Sequence, residues 1–186
     1  VQWTGLSNTT VSDTINAMLK TGFVRTAGMQ RSIGGRRSVI YSINGEYGQF
    51  AGVEVWGSGV RITLCDARGQ IKSHFQVPRR PDELSINLLY RSIDLLLEKP
   101  EATNVLAVGI GVEGQIDHLT QTVLKSDVLS WKNVPLKEIV ERRIYVPVFI
   151  DSTINGQISL RKYTQGAQCP EHFMVLDERF PYKAAI

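Results

Sequence analysis

Three carboxylates of this chain, Glu54, Asp66 and Asp151, stand at the ends of apolar runs, where acid–base or metal chemistry is commonly done. Taken together they would suit a two-metal nuclease. Their spacing is a weak match to that use, and a second group of residues points elsewhere. Ser7, Asn8, Thr9, Ser12, Asp13, Asn16 and Lys20 crowd one short stretch, and Arg31, Gly34, Gly35, Arg36 and Arg37 follow closely. Short hydroxyl and amide side chains reach base edges and phosphates when a helix enters a major groove. Adjacent guanidinium groups on a glycine-rich turn suit a narrow, electronegative minor groove. The first group would catalyse; the second would recognise duplex DNA.

The elements that must hold the second group are legible. Val11, Ile15, Met18 and Leu19 recur at three- and four-residue spacing and define one apolar helix face, which leaves Thr9, Ser12, Asp13, Asn16 and Lys20 opposite. Ser7 is placed to cap that helix, Gly5 to permit a sharp turn before it, and Gly22 to end it. Residues 23–26 and 38–43 then read as two short strands, with the arginines and glycines between them as a wing.

Charge separates this head from the rest. Residues 1–44 hold five Lys/Arg against one acid, and the remainder holds 16 against 17, so the head supplies the whole chain's net charge of +3. That asymmetry implies a polyanion partner for the first segment. With 42% hydrophobic and 21% charged residues the composition is that of an ordinary folded protein. No apolar run reaches the roughly 18 residues of a membrane span, and the N-terminus lacks a signal-peptide layout, so a cytoplasmic protein without membrane partners is expected. Cys65 and Cys169 lack paired spacing. Cys169 with His172 is two ligands short of a structural zinc site, and His74 and His118 stand apart in the sequence, so no metal is expected.

Residues 45–49 read as a short polar linker, and strand-like alternation begins at Phe50. Residues 50–55, 60–66 and 70–77 give three antiparallel strands, with Pro78 and Pro81 breaking the sheet. An amphipathic helix follows over 82–99, then a strand over 105–112, a shorter helix over 135–143, a strand over 145–151 and a helix over 152–163. The order β-β-β-α-β-α-β-α predicts an α/β body behind an α+β head.

In that order the segments LSNTTVSDTINAMLKTGFV, SIGGRRSVIYSIN, GVEV, CDARGQI, VGIGVEGQID, SWKNVPL and VPVFIDSTIN resemble a ROK-family transcriptional regulator. The family name stands for repressor, open reading frame, kinase. The resemblance implies a winged helix-turn-helix DNA-binding domain over residues 1–44, with its first helix incomplete. It implies a linker over 45–49 and, over 50–186, the N-terminal lobe of a sugar-kinase-like domain of the actin and RNase H type. It further implies a chain cut at both ends, a double-stranded operator as partner and a homodimer or higher homo-oligomer.

Family kinases carry their base in an Asn-Asp-x-Asn segment, and matching it to this chain by Asn155 puts Thr153 where the Asp should stand. A threonine hydroxyl does not ionise near neutral pH, which removes a contribution of about two to four decades of rate. Asp151, two residues away, turns to another face. Trp56 takes the place of a glycine in the phosphate-binding turn, so a nucleotide is obstructed there, and Glu54 is expected to face solvent. No enzyme activity and no cofactor follow; the alternative is a fragment of a glucokinase-like enzyme phosphorylating a hexose with ATP. Glu113, Gly114, Trp131 and Thr153 fall where the family contacts a sugar effector, with Val128 at the position of its asparagine, while Trp131 and Pro135 are also expected to serve packing. Either the ligand is not a simple hexose, or the lobe keeps only a dimerisation role.

Overall fold

A computed structural model describes residues 5–30, 38–176 and 184–185. The head consists of helix α1 (Asn8–Lys20) and an antiparallel pair, β1 (Val24–Met29) and β2 (Val39–Ile43), irregular between Thr26 and Gly28. Ser7 caps α1 through its hydroxyl, which accepts from the Thr10 N–H at 3.1 Å. Gly22, at φ +77°, receives the chain as it leaves the helix, donating to the carbonyl of Leu19. Val11, Ile15, Met18 and Leu19 are each half-buried, and α1 buries no residue fully.

A 3-10 turn (Gly45–Tyr47) leads directly into the sheet. The body is built on β3 (Gln49–Trp56), β4 (Gly59–Asp66), β5 (Ile71–Pro78), helix α2 (Ser85–Leu97), β6 (Val105–Val112), β7 (Gln115–Asp117), β8 (Thr122–Ser126) and β9 (Trp131–Val134). Helix α3 (Leu136–Ile144), β10 (Val148–Ser152) and helix α4 (Thr153–Gln165) complete it, with a short pair, β11 (Val175–Leu176) and β12 (Ala184–Ala185), beyond. The main sheet has the order β10-β6-β3-β4-β5: β3, β6 and β10 run parallel, while β3, β4 and β5 are antiparallel neighbours. This is a mixed α/β fold.

The alternation along the strands decides where the core lies. Ala51, Val53 and Val55 of β3, Ile62 and Leu64 of β4, Val108, Ile110 and Val112 of β6 and Val148 and Ile150 of β10 all point to one face. There they meet Leu88, Leu89, Ile93 and Leu96 of α2 and Leu136 and Val140 of α3. The other face is covered by α4, whose only fully buried residue is Ile158. That half-open face carries the site described below.

Several expectations shift by a few residues for physical reasons. Helix α2 starts at Ser85 rather than at 82, because Glu83 is tied into the preceding turn: its carboxylate accepts from the Arg80 N–H at 2.9 Å and from the Arg91 guanidinium at 2.8 Å. Strand β10 starts at Val148 rather than at 145, because Tyr145 takes the left-handed conformation (φ 56°) that ends α3. Residues 45–49 hold the 3-10 turn, then Gly48, then Gln49 as the first residue of β3. The three-stranded sheet β7-β8-β9 occupies a stretch where the apolar pattern announced no strands.

Candidate functional site

Two surfaces bring sequence-identified residues together. On α1, Asn8, Thr9, Ser12, Asp13, Asn16 and Lys20 are all exposed; Asn8, at the first turn, stands on the same face as Val11 and Ile15, and the others lie away from it. Ser7 is committed to the cap. The wing residues Arg31, Gly34, Gly35, Arg36 and Arg37 lie outside the described residues.

The second surface is a cavity of about 760 Å³ on the half-open face of the main sheet. Its floor is made by Gly52, Gly109 and Gly111, its walls by Glu54, Arg61, His118, Gln121, Phe149, Asp151 and Thr153, and its rim by Gly156, Gln157 and Leu160 of α4. The floor is bare because β3 and β6 place glycines in register, Gly52 against Gly109, on the face that alternation turns away from the core. Glycines at 109 and 111, two apart within VGIGV, are the signal by which the sequence could have disclosed it.

Glu54 and Asp151 both pair in register with Gly111, which stands on the strand between them. They therefore flank the floor about 9.5 Å apart, two interstrand spacings. Glu54 does not face open solvent as expected. It is half-buried and accepts from the Arg61 guanidinium at 2.8 Å, since β3 and β4 place the two residues in register. Arg61 in turn lies over the Trp56 indole, 5.4 Å from the ring centroid, and the indole N–H donates to the Ser58 hydroxyl at 2.7 Å. Trp56 is thus folded onto its own turn, where a phosphate-binding backbone would need open approach.

Asp66 belongs to neither surface. It pairs with Gln49 at the far end of β4, about 17 Å along the strand from the level of Glu54, so the three carboxylates form no cluster. Among the described residues no group of three His, Cys, Asp or Glu side chains could hold a metal ion. Asp66 instead shapes the β4–β5 turn, accepting from the N–H groups of Arg68 at 2.9 Å and Gln70 at 3.0 Å, with the Lys72 ammonium 3.2 Å from its other oxygen. Burial raises its carboxyl, but those N–H groups and the ammonium outweigh burial and hold it below the ordinary carboxylate range.

The entry to α4 is held with equal care. Strand β10 lies at an edge of the sheet, and the amides that face away from β6 find side-chain acceptors. The Val148 N–H donates to the Glu141 carboxylate at 2.9 Å, the Ile150 N–H to the Gln121 amide oxygen at 2.6 Å, and the Ser152 N–H to Asp151 at 2.7 Å. Asp151 also accepts from the Asn155 amide at 2.9 Å, so its carboxylate is a brace for the helix entry. The Ser152 hydroxyl caps α4, accepting from the Asn155 N–H at 3.2 Å. Thr153 is left facing the cavity, and its hydroxyl oxygen lies 3.5 Å from where a Cβ on Gly111 would stand.

The set Glu113, Gly114, Trp131 and Thr153 does not converge. Thr153 alone lines the large cavity. Trp131 is 7% exposed and belongs to the core, where β9 pairs it with Ser126 of β8, and it borders a second, separate pocket along β8 and β9. Glu113 and Gly114 form the connection from β6 to β7, and Gly114 (φ +159°) passes so close to β8 that a Cβ would lie 2.4 Å from the Lys125 carbonyl oxygen. Arg61 and Phe149, on β4 and β10, and His118 and Gln121, in the turn between β7 and β8, line the cavity instead, brought there by the pairing of distant segments rather than by local pattern.

A model of the ROK family matches residues 50–176. The xylose repressor of Caldicellulosiruptor bescii is 31% identical over 157 residues, covering 81% of this chain and 39% of its own length. A glucokinase of Streptomyces coelicolor is 30% identical over 109 residues, covering 56% of this chain and 32% of its own. Among solved structures, a ROK-family transcriptional regulator homologous to the Escherichia coli Mlc protein superposes with a TM-score of 0.67 at 16% identity, over 85% of this chain and 41% of that one. The chain spans about two fifths of the length of the repressor it matches.

Proposed function

Because the chain belongs to the ROK family, we propose that it is the operator-reading head and the first part of the effector-sensing body of a transcriptional repressor, with a pentose such as xylose as effector. The observation that carries this reading is the extent of the repressor match. It covers 81% of the chain, whereas residues 50–186 make up only 137 of the 186, so the match runs into the head; the glucokinase match covers 56%. A head of this kind, a polar helix face beside a basic hairpin, belongs to DNA recognition in a winged helix-turn-helix, and operator symmetry asks for a dimer.

The cavity supports a polyol effector and not phosphoryl transfer. Glu54, Arg61, Gln121 and His118 offer donors and acceptors around a flat floor, and Phe149 offers an apolar wall. At the position of the family's base stands Thr153, and the nearby Asp151 carboxylate is occupied by Ser152 and Asn155. The proposed effector contacts are therefore Glu54, Arg61, Gln121 and Thr153, rather than the Glu113 and Trp131 expected from the sequence.

The test is a fluorescence-anisotropy titration of the chain against labelled operator-length duplexes from 50 to 200 mM salt, with and without D-xylose. Each phosphate contact contributes about −0.9 to the slope of log K against log salt. The variant Arg36→Ala/Arg37→Ala is expected to flatten that slope by about 1 to 2. An unchanged slope refutes the wing assignment, and turnover of ATP with D-xylose or D-glucose refutes the repressor reading in favour of a sugar kinase.

A further inference from the structure

The six residues that join head to body are gripped from both sides. On the head side the Asn44 amide nitrogen donates to the Gly22 carbonyl at 3.0 Å, at the C-terminal end of α1, and the Asn44 backbone N–H donates to Phe23 at 2.8 Å. The same side chain accepts from the Glu46 N–H at 3.2 Å, and the Phe23 and Tyr47 rings meet edge to face at 5.2 Å. On the body side the Gln49 amide nitrogen donates to the Glu101 carbonyl at 2.7 Å while its oxygen accepts from the Thr103 N–H at 3.1 Å. Asn104 donates to the Tyr47 carbonyl at 3.2 Å. Gly45 and Gly48 are both buried. A Cβ on Gly45 would lie 2.8 Å from an Asp66 carboxylate oxygen, and one on Gly48 would lie 2.2 Å from a Leu106 methyl carbon.

We infer that Asn44 and Gln49 are positioning residues that lock the C-terminal end of α1 to the first residues of β3 and β6, so that the reading helix moves with those strands instead of swinging on a hinge. β3 and β6 run from this joint, at Gln49 and Val105, to the cavity, at Glu54 and Gly111. The joint and the cavity are thus the two ends of the same strand pair, about 17 Å apart. A change of strand position at the cavity is delivered to α1 because no freely rotating segment lies between to absorb it. The inference rests on the reading of α1 as the DNA-facing helix only for its consequence; the mechanical claim stands on the joint itself.

Backbone ¹⁵N relaxation of the 186-residue chain tests it. In the wild type, amides of α1, β1 and β2 are expected to share one rotational correlation time with those of β3, β4 and β6. In Asn44→Ala/Gln49→Ala the head amides are expected to report a time shorter by about twofold or more, as suits a released unit of 44 residues, while the melting of the body is retained. Gly45→Ala, which drives a methyl against Asp66, is expected to release the head in the same way and serves if the double variant does not fold. A wild-type head that already tumbles independently, or a double variant whose head keeps the body's correlation time, overturns the proposal. In parallel, anisotropy with a labelled 30-base-pair duplex, with and without 10 mM D-xylose, separates the two readings. A rigid joint in a chain that binds no duplex sinks the repressor reading alone, and duplex binding with a loose joint sinks the positioning role alone.

Discussion

Raising the floor of the cavity should separate stability from ligand binding. Gly52 and Gly109 lie in strands without positive φ, and a Cβ built on Gly109 meets no atom within 4 Å, while one on Gly52 meets only the Thr63 carbonyl oxygen at 3.9 Å. Alanine at either position therefore strains nothing in the folded chain and restricts the unfolded one, a gain of about 0.4–1 kcal/mol per site. For a chain of this size each kcal/mol shifts Tm by about 2–4 °C, so Gly52→Ala/Gly109→Ala should melt roughly 2–8 °C higher by circular dichroism. If the glycines are the bed of a bound pentose, two methyl groups now intrude where the ligand lies, and overpacking of this kind costs about 1–3 kcal/mol. At 1.4 kcal/mol per decade the Kd for D-xylose by calorimetry should weaken roughly 5- to 150-fold. A variant that melts higher and binds the sugar as before shows that the glycines do not floor the effector site. One that melts lower shows that the backbone itself needs them, and the argument from open space fails.

The edge of β10 offers a second check. Gln121→Ala takes the acceptor from the Ile150 N–H and should cost about 1–3 kcal/mol, read as a Tm drop of roughly 2–12 °C, with Gln121→Glu restoring most of it because a carboxylate oxygen still accepts. Gly114→Ala should destabilise more than an exposed strand substitution, since its Cβ meets the Lys125 carbonyl at 2.4 Å and its φ is +159°; a melt within 1 °C or so of wild type would contradict that geometry. Stability should also fall in acid through Glu83, whose carboxyl the Arg91 guanidinium holds at about 2. Its folded value lies below its unfolded value of about 4.3, so its contribution is present above that pH and is lost as pH falls toward 2. Glu83→Gln should flatten Tm against pH in that window, and an unchanged acid limb would refute the assignment.

Much of this protein is local in origin and could be read from the chain. Helix α1, its Ser7 cap and its Gly22 stop follow from three- and four-residue spacing and from the chemistry of single side chains. The strands β3, β4 and β6 follow from alternation. The basic character of the head is a count.

What tertiary structure decided are the meetings of residues far apart in the chain, to which local periodicity is blind. Glu54 finds Arg61 because two strands pair in register, and Gln121 serves the amide of Ile150 because β10 has no neighbour on its outer side. Gln49 reaches Glu101 and Thr103 across more than fifty residues, turning what reads as a linker into a joint. Trp131, read both as a packing residue and as a candidate ligand contact, lies in the core. A side chain's type limits the chemistry it can do, but its partners are set by the register and edges of the sheet, and those are fixed only when distant segments close on one another.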